Sequence, residues 1–154
     1  DTYGATLKGL IKHHNIDPID FLSTTHDLKN FNDLVIPEVN LKETISNIKG
    51  RKIIYTNAPK SYTDRILKIS NIYEMFDEVF TIEDSDFMPK PNKGSMANFL
   101  KKYNINEGVF IDDIKENLKT AKNFGLTTIW ITDDITHHSF IDRKIEKISD
   151  LLTF

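Results

Sequence analysis

Three short segments of this chain carry side chains suited to phosphoryl chemistry. An apolar run, Val109-Phe110-Ile111, ends abruptly in two adjacent carboxylates, Asp112-Asp113. A second run, Ile53-Ile54-Tyr55, ends in Thr56-Asn57, and Lys90 stands between Pro89 and Pro91. Adjacent carboxylates at the tip of an apolar strand repel each other, and desolvation adds to the penalty. A cation relieves both effects, and Mg²⁺ takes oxygen ligands, usually one or two carboxylates completed by water and substrate. Successive strand side chains alternate faces, so the pair is expected to divide its roles. One ligates metal, and the other works through water or caps the helix that follows. The plainer reading makes one of them only an N-cap for a helix over Lys115 to Phe124.

The other two segments fit the same chemistry. A threonine hydroxyl and the N–H groups of the turn after it can hold phosphoryl oxygens, although Thr at a strand end also commonly bonds its own turn. Proline fixes its own φ and steers the residue before it out of the helical region. Lys90 is therefore presented on a stiff backbone, which suits charge neutralisation on a phosphate; a solvated lysine in a proline turn would read the same in isolation. Asn117, one helical turn after Asp113, is placed to orient Lys90 or a water.

Other candidates are weaker. His13-His14 and His137-His138 are adjacent pairs, which point apart on a helix. With no Cys or further His spaced to complete a site, they read as solvated. Asp84-Ser85-Asp86 leads into Phe87-Met88-Pro89 rather than into a turn and a helix, and reads as a surface loop. Tyr3, Phe21 and Trp130 read as packing aromatics.

The elements that must position these residues alternate between strand and helix. Tyr3, Leu7, Leu10, Ile11 and His14 share one helical face. Asp17-Pro18 opens a second helix running to about Leu28, with Asp17 as N-cap, and Asn30 to Asp33 is loop-like. After Pro37 the pattern predicts a helix over Leu41 to Ile48 closed by Gly50, a strand over Lys52 to Thr56 and an amphipathic helix over Ser61 to Ile69 with Tyr62, Ile66 and Ile69 on one side. A short strand over Glu78 to Ile82 and a helix over Pro91 to Tyr103 capped by Asn92 follow. Gly108 to Asp112 is the strongest strand, Lys115 to Phe124 a helix stopped by Gly125, Thr127 to Ile131 a β-branched strand, and Ser139 to Lys147 a last helix. Such alternation argues for βαβ units and a parallel sheet covered on both faces. In parallel sheets, ligands bind outside the carboxyl ends of the strands, where Thr56 and Asp112-Asp113 fall.

Composition narrows the function classes. At 154 residues the chain can bury a real core, and 39% apolar with 28% charged residues is ordinary for a globular protein. A net charge of −3 gives no basic excess, so nucleic acid polymers and membrane surfaces are not favoured partners. The absence of cysteine excludes disulfides and thiolate catalysis and fits a reducing, cytoplasmic setting. No apolar run approaches the ~18 residues needed to span a membrane, and no signal peptide is visible. The chain opens at Asp1 rather than Met, which reads as a fragment and leaves an upstream signal open.

In order and spacing, Thr56, Lys90 in its Lys-Pro turn and Asp112-Asp113 resemble the second, third and fourth motifs of the haloacid dehalogenase-like hydrolase superfamily. The resemblance covers about Val35 to Phe154. The opening Tyr3-Gly4-x-Thr6-Leu7-x-Gly9-Leu10 looks like the cap-helix signature of its pyrimidine 5′-nucleotidase branch. The resemblance implies a partial helical cap over residues 1–34 and an α/β core, a three-layer Rossmann-like parallel sheet, over residues 35–154. It implies a Mg²⁺-dependent phosphomonoester hydrolase acting through an aspartyl-phosphate on small phosphorylated metabolites, nucleoside 5′-monophosphates in this branch. Thr56 and Asn57 would hold phosphate, Lys90 would stabilise the attacking carboxylate and the phosphoryl charge, and Asp113 would ligate Mg²⁺ directly with Asp112 assisting. Asn117 stands where many relatives carry a second acid.

The family's first motif, a strand ending Asp-x-Asp-x-Thr, is not found in this sequence. Its first Asp is the nucleophile and its second the general acid and base. Its strand lies between those carrying Thr56 and Asp112, whose ends would then be ~10 Å apart. Without that strand, either the gap stays open or the two flanking strands pair directly, and this polypeptide alone is expected to hydrolyse nothing. Two other classes fit less well. A receiver-like phosphoacceptor also uses an acidic pair, a Thr and a Lys, but in the opposite chain order. A non-catalytic remnant used for binding would require the gene to begin near Asp1. Base preference and oligomeric state are not encoded in any pattern here.

Overall fold

The computed structural model describes residues 9–10, 13–14, 16–25 and 31–153. In chain order the elements are α1 (Pro18–Thr25), α2 (Phe31–Leu34), α3 (Leu41–Asn47), β1 (Ile53–Tyr55), α4 (Lys60–Ile69), a 3₁₀ turn (Tyr73–Met75) and β2 (Glu78–Phe80). They continue with α5 (Lys93–Lys102), β3 (Val109–Asp112), α6 (Lys115–Asn123), β4 (Thr127–Ile131), β5 (Arg143–Ile145) and a second 3₁₀ turn (Ile148–Thr153). The fold class is α/β with parallel strands, as expected. The chain divides into two units, Asp1–Pro37 with Gly50–Pro89, and Glu38–Lys49 with Lys90–Phe154.

In the first unit, the Asp17 carboxylate accepts from the N–H groups of Ile19 at 2.7 Å and Asp20 at 3.3 Å, which starts α1 where the sequence placed it. The expected continuation to Leu28 and the Tyr3 end of the preceding helix lie outside the described residues. Phe31–Leu34 is a helical turn rather than the loop expected from its polar residues. Burial of Phe31 accounts for this: its ring meets Tyr62 edge-on at 5.1 Å, and the Arg65 guanidinium lies 4.1 Å above it. Along α4 the buried positions are Thr63 and Leu67, so the inward face is rotated from the expected Tyr62-Ile66-Ile69 stripe. β1 pairs in parallel with β2, Ile54 opposite Val79.

In the second unit, β3, β4 and β5 form a parallel sheet in that order. Asp112 lies opposite Trp130, and Trp130 opposite Lys144. Leu118 and Ala121 of α6 are fully buried, with Phe110, Ile129 and Ile145 of the sheet also in the core. Asn92 caps α5 as predicted, its side chain accepting from Gly94 and Ser95 N–H groups. Gly125, at φ +84°, follows α6 in a conformation that favours glycine. The Glu38 carboxylate accepts from the N–H groups of Ile148 at 3.2 Å and Ser149 at 2.9 Å, holding the final 3₁₀ turn beside the start of this unit.

One expectation fails here. Ser139 to Lys147 is not a helix: Arg143–Ile145 adds to the sheet as β5, because pairing with β4 outweighs local preference. Of the two alternatives for the strands that carry Thr56 and Asp112, direct pairing is not found among the described residues, where β1 and β3 belong to different sheets. Among the described residues, no helix is long and apolar enough to cross a membrane.

Candidate active site

Asp112 is the last residue of β3 and only 7% exposed. Its carboxylate accepts three hydrogen bonds. Lys90 Nζ donates to Oδ2 at 2.7 Å, and both the Ile114 N–H and Asn117 Nδ2 donate to Oδ1 at 2.9 Å. The lysine side chain is 11% exposed, so this is a buried ion pair, and the extra donors offset much of its desolvation. The lysine sits above the Phe110 ring at 5.5 Å. The Lys90–Pro91 peptide is cis. The loop is held by Pro91 O, which accepts from Thr120 Oγ1 at 3.0 Å.

The two members of the acidic pair have different surroundings. Asp112 is fully engaged by protein donors. It bonds the Ile114 N–H as a local turn, but the N-cap of α6 is Ile114, which makes no side-chain cap bond. Asp113 is the exposed member, and its backbone carbonyl accepts from Trp130 Nε1 at 2.9 Å. Asn117 faces Asp112 rather than Lys90, because its amide nitrogen meets the carboxylate. Reversing that amide would set oxygen against oxygen. The other end, Asn117 Oδ1, is buried with no hydrogen-bond partner among the described residues.

Thr56 and Asn57 lie in the first unit. Thr56 N–H donates to Phe80 O at 2.9 Å, and its Oγ1 accepts from the Ala58 N–H at 3.0 Å. This is the local turn bond that was the plainer alternative for this residue, and it leaves the hydroxyl proton able to donate elsewhere. Asn57 is exposed. The N–H at the start of α4 is taken by the Glu83 carboxylate, which accepts from Lys60 N at 2.9 Å. Asp84-Ser85-Asp86, read from the sequence as a surface loop, lies in a turn whose middle residue is buried: Ser85 bonds Ile82 O at 2.8 Å, and the Asp84 carboxylate holds Thr81.

The segment after β4 carries structure that the spacing of residues did not announce. His138 is half-buried rather than solvated, its ring 5.6 Å from Trp130 and stacked on Phe140 at 5.2 Å. Lys144 Nζ donates to Asp134 O and Thr136 O and lies 5.4 Å over the Trp130 ring. The Thr136 N–H bond holds the Asp134 carboxyl below its ordinary value. Asp142 is likewise held low, first by Lys122 and then by the Thr128 N–H. An open depression of about 640 Å³ is lined here by Thr132, Asp133, Asp134, Lys144 and Glu146 among others, but not by Lys90, Asp112 or Asp113. Trp130 is buried in the core, as its reading as a packing aromatic expected, and its hydrogen bond to Asp113 O was not foreseen. The available signal was that a buried indole N–H needs an acceptor. Among the described residues, no group of three or more His, Cys, Asp or Glu could hold a metal ion.

A parallel α/β fold with a lysine–aspartate pair at the carboxyl end of a strand defines a class, and comparison supplies it. The profile of the haloacid dehalogenase-like hydrolases matches residues 2–131, and the chain belongs to this family. It is similar to phosphate metabolism protein 8 of Saccharomyces cerevisiae, 26% identical over 158 residues covering 89% of this chain and 48% of that protein. It thus spans about half the length of the curated relative it matches. In fold it is similar to the magnesium-bound HAD-hydrolase YfnB of Bacillus subtilis, with TM-score 0.67, 17% identity and coverage of 99% of this chain and 78% of the other. A HAD phosphatase of Thermococcus onnurineus shares the fold with TM-score 0.63, 18% identity and coverage of 96% and 85%.

Proposed function

We propose that this chain carries part of the machinery of a Mg²⁺-dependent phosphomonoester hydrolase of the pyrimidine 5′-nucleotidase-like branch, working through an aspartyl-phosphate. The observation that carries this reading is the buried Lys90–Asp112 pair beside the exposed Asp113 at the end of β3. A lysine fixed by a carboxylate is preorganised to neutralise charge that develops on a phosphoryl group. Asp113 offers a hard oxygen to solvent, which fits a cation that usually takes only one or two carboxylates plus water and substrate. Asp112, committed to three donors, assists by holding the lysine in place. Bound Mg²⁺ would supply charge neutralisation on the phosphoryl oxygens. Thr56 and Asn57 are assigned to phosphate, and Asn117 supports Asp112. The substrate is a small phosphorylated metabolite, of nucleoside 5′-monophosphate type.

None of these 154 residues is assigned as the attacking carboxylate, so this chain alone is expected to be inactive. The test is a panel of nucleoside monophosphates offered to the full gene product, with and without chelator. Turnover that needs Mg²⁺ and falls on Asp113→Asn supports the reading. Turnover without preference for pyrimidines removes the branch, and phosphatase activity from the 154-residue chain overturns the assignment of the nucleophile elsewhere.

A further inference from the structure

Among the described residues no hydrogen bond or ion pair anchors the exposed Asp113 side chain, but its backbone is held firmly. Its carbonyl accepts from Trp130 Nε1 at 2.9 Å, and the N–H of Ile114 donates to Asp112 Oδ1 at 2.9 Å. That carbonyl and that N–H belong to the same peptide group. The Asp113–Ile114 peptide is therefore gripped at both ends by two side chains that are themselves buried, Trp130 at 5% and Asp112 at 7% exposure. A planar peptide fixed at its oxygen and its nitrogen cannot rotate about the bonds that flank it. This fixes the backbone from which the Asp113 side chain departs.

The two clamping residues face each other across the β3–β4 ladder. Trp130 is fixed in turn by the Lys144 ammonium over its ring and by the His138 ring against it. Indole is suited to this place. It fills a core position with apolar surface and offers a single donor at its edge.

The geometry points to Trp130 as the positioning residue of Asp113, aiming the carboxylate through its own backbone. The inference rests on the proposed role of Asp113 as the cation ligand, but the clamp itself is measurable without it. The indole N–H of the wild-type chain is expected to exchange slowly with solvent. Trp130→Phe keeps an aromatic ring in the core and removes the donor together with part of the ring volume, and the β3 amides report the effect of the lost volume. In that variant, amide exchange at Ile114 is expected to rise by about five-fold relative to the amides of β3, the size of one lost hydrogen bond. Mg²⁺ affinity, followed through the Asp113 and Ile114 amide shifts during titration, is expected to weaken by a similar factor of about five.

A fast-exchanging indole proton in the wild type overturns the clamp even if the variant does not fold. So does a rise at Ile114 that is matched by the β3 amides, since that reports general loosening. An unchanged Mg²⁺ affinity with a loosened Ile114 overturns the positioning role. If the wild-type chain shows no Mg²⁺ shift that Asp113→Asn abolishes, the cation reading of Asp113 fails and the positioning role fails with it. Exchange at Ile114 then still decides whether the clamp exists.

Discussion

The tips of β1 and β3 look alike in sequence and differ in construction. Each is a short apolar strand that ends in a polar residue. At β1, Thr56 Oγ1 accepts from Ala58, two residues on, and the side chain is only half-buried. At β3, Asp112 gathers a lysine from 22 residues upstream and an amide from five residues downstream, in a buried corner. A local turn forms wherever the local sequence allows it. A long-range buried network forms only when the surrounding unit is complete, and its parts then depend on one another.

That contrast can be broken by mutation. The largest effect is expected from Asp112→Ala, which strands the Lys90 charge, the buried Asn117 amide and the part-buried Ile114 N–H. Loss of one partner of a buried pair typically costs about 3–5 kcal/mol, to be read from urea denaturation. Next comes Asn117→Asp, which sets a carboxylate against the Asp112 carboxylate. A loss of about 1–3 kcal/mol is expected at neutral pH. Thr56→Val removes only a turn bond and should cost no more than about 1 kcal/mol in stability. If it costs as much as Asp112→Ala, the two tips are not different in kind.

A third corner separates reach from burial. Asp142 is also bonded from far away in sequence, by Lys122 and Thr128, but it and Lys122 are each 36% exposed. Its carboxyl is held below the ordinary value, first by the Lys122 bond. A lowered folded-state pKa contributes stability above the unfolded value of about 4, and that contribution is lost as pH falls below it. Wild type should therefore melt slightly above Asp142→Asn at neutral pH, and the gap should close on acidification. This should be the smallest of the effects. A gap as large as that of the Asp112 variant would mean that reach alone, without burial, makes a strong corner.

Much of this was legible because it is local. Asp17 and Asn92 start their helices through bonds to N–H groups two and three residues ahead. β4 carries its preference in Thr-Thr-Ile-Trp-Ile. The order of Thr56, Lys90 and Asp112-Asp113 was enough to indicate the family. What was not legible depends on distant partners. Arg143-Lys144-Ile145 becomes a strand only because β4 offers an edge to pair with. Asp112 rather than Asp113 receives Lys90 because one side of β3 is buried, and nothing in two adjacent aspartates says which side that is. The acceptor of the Trp130 N–H lies 17 residues back in the chain.

The bond from Glu38 to the final 3₁₀ turn has a consequence for how the protein is made. Its partners, Ile148 and Ser149, follow it by 110 and 111 residues. A ribosome adds about 5–20 residues per second, so Glu38 leaves the exit tunnel roughly 5–20 seconds before the amides it will bind. The second unit cannot close during that interval, whereas the β1–β2 pair has both its strands by residue 80. Nascent chains stalled before Ile148 should therefore present a finished first unit and an open second one, and the exposed interior of α3 would be the surface that chaperones meet.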